Sequence, residues 1–181
     1  MKKKRMALIL PGLGYHSDKP LLYYAKKLFR QRGYQIEEIT YQNLPEWNKE
    51  NLEAVGEIVT QQAEKAFAQI DTQSYEEIVF ISKSIGSVAA CRLIQKWRKE
   101  WKHICFTPVE VTIPLLESGK TIVFSGTSDP FIDCSKLKQV CREKKIPLYL
   151  IDEGNHSLET GDIKVGGPSG LRKTTNPDNS L

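Results

Sequence analysis

Long apolar runs are missing from this chain. No stretch of its 181 residues approaches the roughly 20 apolar residues that a membrane-crossing helix needs, so neither a membrane span nor a membrane partner is expected. The run Met6-Ala7-Leu8-Ile9-Leu10 follows basic residues, but Pro11-Gly12 stops it and no small-residue cleavage site follows. It is too short for the core of a secretion signal. Metal-ligand spacing is missing too. Cys91, Cys105, Cys134 and Cys141 lie scattered through expected helices and strands and read as reduced thiols of a cytoplasmic protein. Neither charge is in large excess. Lys plus Arg is 26 and Asp plus Glu is 22, a net +4, and Lys2, Lys3, Lys4 and Arg5 supply much of the surplus as a solvated tail. No basic stripe interleaved with aromatics accompanies them, so nucleic acid is not an expected partner. A phosphate loop is absent as well, and Gly12-Leu13-Gly14 is no dinucleotide fingerprint, since no third glycine follows at the right spacing. Histidine is scarce, with three in the chain, so each one is informative.

What is present is an alternation of short apolar runs with amphipathic stripes. Strands are expected over Ala7 to Leu10, Tyr34 to Thr40, Ile78 to Ile81, Ile104 to Phe106, Thr121 to Phe124 and Pro147 to Ile151. Between them, Leu21, Leu22, Ala25, Leu28 and Phe29 have helical spacing, with Gly33 as the stop. Leu52, Val55, Val59, Ala63, Ala66, Phe67 and Ile70 form a second stripe. Val88 to Ile94 forms a third, and Leu137, Val140 and Cys141 mark a fourth. Strands alternating with helices predict an α/β fold. The expected form is a doubly wound, mainly parallel sheet of about six strands with helices on both faces. One domain is expected over residues 1–163. Residues 164–181 hold Gly166-Gly167-Pro168-Ser169-Gly170 and then Lys173-Thr174-Thr175-Asn176-Pro177-Asp178 with no helical stripe, and read as a disordered tail.

The most informative stretch is Glu77 to Cys91. A buried strand runs into Ser82-Lys83-Ser84-Ile85-Gly86, and a helix follows. A small residue stands two before Ser84 and a glycine two after. Such a turn needs small flanks because strand and helix backbones pack tightly there. Centred on Ser82, the flank would be Phe80, which does not fit. Ser82-Lys83-Ser84-Ile85-Gly86 resembles the nucleophile elbow of the α/β-hydrolase superfamily, with serine at the first glycine position. The resemblance is closest to small, lidless bacterial serine hydrolases and covers roughly Ala7 to Thr160.

The resemblance implies a strand order of 2-1-3-4-5-6 and a chain order of Ser, then an acid, then His. Asp129 lies just past the fifth strand in a Gly-x-x-Asp turn, and His156 lies after the sixth in Gly154-Asn155-His156. Catalytic roles are therefore implied for Ser84 as nucleophile, Asp129 as acid and His156 as base. Asp133 is the competing acid, though it better fits a cap on the helix at Ser135. His103 reads as a surface residue, and His16 as a residue that could line the site. The backbone N–H of Ile85 and that of Leu13 or Gly14 are the implied oxyanion donors. Tyr15, His16, Pro108 and Phe131 are pocket candidates by position.

The implied activity is hydrolysis of ester or thioester bonds of small acyl substrates by a carboxylesterase- or thioesterase-like enzyme. It would pass through an acyl-enzyme on Ser84, with no metal or organic cofactor. A non-catalytic binding or scaffold protein on the same fold, or an acyltransferase using the same residues, are the alternatives. Only Thr107 to Gly119 separates the fourth and fifth strands, too little for a cap domain. A terminal helix that normally covers the sheet in this superfamily is not visible in the sequence. An uncovered apolar surface is expected in its place, and the expectation is either a partner chain over it, such as a second copy in a homodimer, or an unusually labile protein.

Overall fold

In a computed structural model, residues 4–97, 100–161 and the backbone of 171–173 are described. The elements, in chain order, are β1 (Lys4–Leu10), α1 (Pro20–Gln31), β2 (Tyr34–Glu38), α2 (Leu52–Phe67), β3 (Tyr75–Ser84), α3 (Gly86–Trp97), β4 (Lys102–Pro108), β5 (Thr121–Gly126), α4 (Cys134–Glu143), β6 (Leu148–Ile151) and β7 (Leu171–Lys173). They build one sheet in the order β2-β1-β3-β4-β5-β6-β7. The first six strands are parallel. The order reverses between β1 and β3, so the loops after these two strands open a crevice at their carboxyl ends, where ligands bind in open α/β sheets. Between β4 and β5 the chain makes only a short 3-10 turn, Glu110–Leu115, and no lid is inserted there.

Two apolar layers flank the sheet. On one face Met6, Leu8 and Leu10 of β1 and Ile78 and Phe80 of β3 pack against Val55, Val59, Ala63 and Phe67 of α2 and Val88, Ala89 and Leu93 of α3. Cys105, Val123, Leu148 and Leu150 continue this face beneath Leu137 and Cys141 of α4. On the other face Ala7, Ile9, Val79 and Ile81 meet Leu22 and Phe29 of α1. Every second residue changes face, because the side-chain period of a strand is two. The central strands carry apolar residues on both faces, which is why their sequences read as continuous runs. Beyond α1 the second face shows a row of rings: Phe106 and Phe124 at 5.3 Å, Phe124 and Tyr149 at 5.0 Å. Each of the three is half-buried.

Helix ends follow local chemistry. Pro20 opens α1, where its missing N–H costs nothing. Gly33, at φ +80°, follows the helix in the left-handed conformation that glycine tolerates. Asp133 caps α4, accepting from the N–H of Ser135 and Lys136, so the competing acid is held in a structural role. The N-terminal basic run is only partly a tail: Lys4 and Arg5 belong to β1, and the Arg5 guanidinium lies 4.6 Å over the Tyr34 ring. At the other end, Leu171–Lys173 pair antiparallel with β6, Ile151 opposite Leu171. Those three residues depart from the expected tail. The rest of that stretch, 164–170 and 174–181, lies outside the described residues.

Candidate active site

The elbow is built by close backbone approach. β3 ends at Ser84 and α3 begins at Gly86. A side chain at Gly86 would collide with the carbonyl oxygens of Leu10 and Pro11, so only glycine lets α3 start against the end of β1. Ser84 itself adopts φ +55°. A non-glycine residue in this region is strained, and such strain persists only where the surroundings hold it. Here the Ser87 hydroxyl donates to the Ser84 carbonyl at 2.5 Å and is bonded to Thr112 at 2.7 Å. Across from the elbow, β4 bulges: Lys83 pairs with Phe106 but Ser84 with Pro108, leaving Thr107 unpaired at φ +40°. The result aims the Ser84 hydroxyl out over the end of the sheet.

Two loops bring partners to it. The loop after β6 supplies His156, whose Nε2 lies 2.8 Å from Ser84 Oγ. The loop after β5 supplies Asp129, whose Oδ2 lies 2.7 Å from His156 Nδ1. The Asp129 side chain has no solvent exposure, and its Oδ1 accepts the Phe131 N–H at 2.9 Å. These loops interlock. Gly126 packs so tightly on the Gly154 carbonyl that no side chain fits between them, and Ser128 N–H donates to that carbonyl at 3.0 Å. Placing one loop therefore places the other.

The loop after β1 closes the third side. A Cβ at Gly12 would stand 2.9 Å from Ser84 Cβ, so the glycine lets this loop lie directly against the elbow. Gly12 and Tyr15 exchange backbone hydrogen bonds at 3.2 and 3.4 Å across a tight turn. That exchange leaves the N–H groups of Leu13 and Gly14 outside the turn's own bonding. Lys26 anchors the far end of this loop. Its buried ammonium donates to Ser17, Asp18 and Glu38 at 2.9–3.1 Å.

The remaining sequence candidates fall in different places. Ile85 is buried at the start of α3. Pro108 is buried in register with Ser84. Phe131 is half-buried, its ring 4.7 Å from that of His156. Tyr15 is buried, and its hydroxyl accepts the Leu21 N–H at 3.1 Å, so it packs the loop together more than it faces solvent. His16 is exposed and accepts the Asp18 N–H at 3.3 Å through Nδ1. His103 is not a surface residue. It is 1 % exposed, and its Nε2 is bonded to Ser82 at 2.7 Å. Burial drives its pKa down to about 3 and keeps it neutral. The alternation of β4 explains the correction: His103 shares the inward face with Cys105.

Two features had no clear warning in the sequence. Lys83, beside the elbow serine, is wholly buried, and its Nζ has no hydrogen-bond partner among the described residues. It faces the Tyr15 ring at 4.8 Å. Burial pushes its amine down to about 7, and the Asp129 carboxylate opposes that shift in part. Trp47, from the long loop between β2 and α2, places its ring 5.4 Å from Phe131. Its only signal was an aromatic residue in a polar loop.

The described residues contain no cluster of His, Cys, Asp or Glu able to hold a metal ion, and no helix among them is long and apolar enough to cross a membrane. No protein-family model matches the chain, and no curated protein matches it in sequence. Solved structures do match. A lidless α/β serine hydrolase of Xanthomonas campestris superposes with a TM-score of 0.63 at 13% identity, over 85% of this chain and 73% of that one. An α/β serine hydrolase homologue of Coxiella burnetii gives 0.64 at 11%, over 86% and 77%. An esterase of Pyrococcus furiosus gives 0.61 at 11%, over 83% and 74%. At such identities the likeness speaks for architecture alone, and on that ground the chain has the α/β-hydrolase fold in its form without a lid.

Proposed function

We propose that this protein is a serine hydrolase that cleaves ester or thioester bonds of small acyl substrates through an acyl-enzyme on Ser84. The observation that carries the reading is the pair of hydrogen bonds linking Ser84 Oγ to His156 Nε2 at 2.8 Å and His156 Nδ1 to Asp129 Oδ2 at 2.7 Å. A serine hydroxyl is a weak nucleophile until a base takes its proton. In this arrangement Nε2 accepts that proton while Asp129 holds the ring with its Nδ1–H inward and stabilises the imidazolium that forms.

The steps follow. Ser84 Oγ attacks the acyl carbon as its proton passes to His156. Negative charge develops on the former carbonyl oxygen, where the N–H of Ile85, at the start of α3, and an N–H of Leu13 or Gly14 are the donors. The tetrahedral carbon then expels the alcohol or thiol, which takes the proton from His156. A water gives its proton to His156, attacks the ester on Ser84 and releases the acid, and His156 returns the proton to Ser84. Because no lid covers Ser84 among the described residues, small substrates reach it from solvent.

The test is incubation with a fluorophosphonate probe and location of the adduct by peptide mass spectrometry. Labelling at Ser84 that is lost in His156→Ala supports the reading. Folded protein that takes no label at Ser84 overturns it.

A further inference from the structure

An indole left 39 % exposed on a loop needs a reason, since burying it would be favourable. Trp97 and Trp101 do what is usual and pack on Phe67 at 5.3 and 5.4 Å. Trp47 does not, although its loop is far from slack. The Asn48 N–H donates to Asn51 Oδ1 at 2.8 Å, the N–H groups of Glu50 and Asn51 donate to Asn48 Oδ1 at 2.9 and 3.1 Å, and Asn51 Nδ2 donates to the Glu46 carbonyl at 3.0 Å. Gln62 of α2 clamps the N–H and carbonyl of Gln42, both at 2.8 Å. The turn is thus built to hold Trp47 in one place. Phe131 is held as firmly, by its N–H on Asp129 and by its carbonyl, which accepts the Glu110 N–H at 3.1 Å. The rings form a continuous strip: His156 to Phe131 at 4.7 Å and Phe131 to Trp47 at 5.4 Å.

We propose that Phe131 and Trp47 form the leaving-group subsite of the Ser84 site, and that it takes esters or thioesters whose alcohol or thiol part carries a flat aromatic group. The inference rests on the acyl-transfer reading of Ser84 and His156. In that chemistry the bond from Ser84 Oγ to the acyl carbon forms and the bond to the leaving oxygen or sulfur breaks. The leaving atom takes its proton from His156 Nε2 and so departs along the His156 side of the site. The aromatic strip lies on that side. Rings on rings favour tilted or offset contacts at these spacings, worth roughly three- to tenfold in affinity. Two pre-positioned rings lose little freedom on binding.

The experiment compares kcat/KM for benzyl butyrate and ethyl butyrate in the wild type and in Trp47→Ala. The ratio of the two esters cancels any general damage to catalysis. It should fall roughly three- to tenfold in the variant; an unchanged ratio in an active enzyme overturns the subsite and leaves the hydrolase reading standing. A second measurement does not need turnover. Ser84→Ala is titrated with benzyl acetate and followed by indole fluorescence, with Ser84→Ala/Trp47→Phe as the control that removes the reporter but keeps a ring. A saturable change that the control lacks supports the subsite, and no saturable change, or one that the control keeps, overturns it. Binding at Trp47 in a protein that neither hydrolyses esters nor takes a fluorophosphonate at Ser84 overturns the hydrolase reading and, with it, the leaving-group assignment.

Discussion

Lys83→Met should make the protein more stable, and by an amount that depends on pH. The lysine is wholly buried without a hydrogen-bond partner among the described residues, and its pKa stands at about 7 against an ordinary 10.5. Between those two values the unfolded chain holds a proton that the folded chain does not. Stability therefore rises with pH across this window, by about 1.4 kcal/mol per unit for one proton. Below about pH 7 both states are protonated and the full cost of the buried ammonium is present, about 5 kcal/mol. Methionine has a similar shape and no charge. It forfeits the contact of the cation with Tyr15, worth about 0.5–2 kcal/mol, and repacking costs up to about 1.5 kcal/mol. At pH 6.5 the variant should thus exceed the wild type by about 2–4 kcal/mol. By pH 9 the advantage should shrink by about 2.7 kcal/mol. The buried thiols of Cys105 and Cys141 titrate only at about 12 and 11, above this range. Urea unfolding of the two proteins from pH 6.5 to 9 measures the difference. Parallel stability curves, or a variant less stable at pH 6.5, would refute the reasoning.

The other side chains around the site separate function from structure. Asp129→Asn should cost several orders of magnitude in ester hydrolysis, because an amide cannot balance the imidazolium. Asp133→Asn should keep activity and stability within narrow limits, since asparagine caps helices as well as aspartate does; the opposite ranking in a kinetic assay would make Asp133 the acid. His103→Ala should lower stability by about 1–3 kcal/mol, by leaving the Ser82 hydroxyl unpaired and a cavity under α3. The folded fraction should still take a fluorophosphonate at the wild-type rate, and loss of labelling without loss of fold would show that His103 acts in the chemistry.

How legible these features were in the sequence depends on whether their signal was local. The parallel strands were legible because β1 and β3 to β6 are apolar runs between breakers, and Gly33, Gly86 and Gly126 stand where backbones crowd or turn. Ser84, Asp129 and His156 stood out as positions because each follows a strand end, and parallel strands send all such ends to one edge. What periodicity could not show was which face a residue takes when the strand boundary is in doubt. β4 reaches back to Lys102 instead of starting at Ile104, and that extension turns His103 inward. Lys83 was opaque for a different reason. A lysine between two serines reads as solvated, and only the tertiary packing of Tyr15 and Gly12 over it seals it off. β7 carries no apolar alternation, because pairing with the edge of β6 uses backbone groups, which every residue has. Trp47 reaches Phe131 across more than eighty positions of sequence, a contact that no window of residues can contain.

The separation in sequence between these hydrogen-bonded side chains also has a consequence during synthesis. Ser84 and His156 are 72 residues apart. At about 5–20 residues per second, the ribosome releases the imidazole on the order of 4–14 s after the elbow. Until then the growing chain can hold the serine in its strained turn only as an ordinary hydroxyl. The interlocked loops at Gly126 and Gly154 tie the two placements together, since the Asp129 carboxylate meets the His156 ring only once the loop after β6 is in place. Synthesis order thus leaves the proposed nucleophile unaided until late: the Ser84 hydroxyl has no imidazole beside it until the chain has reached the loop after β6.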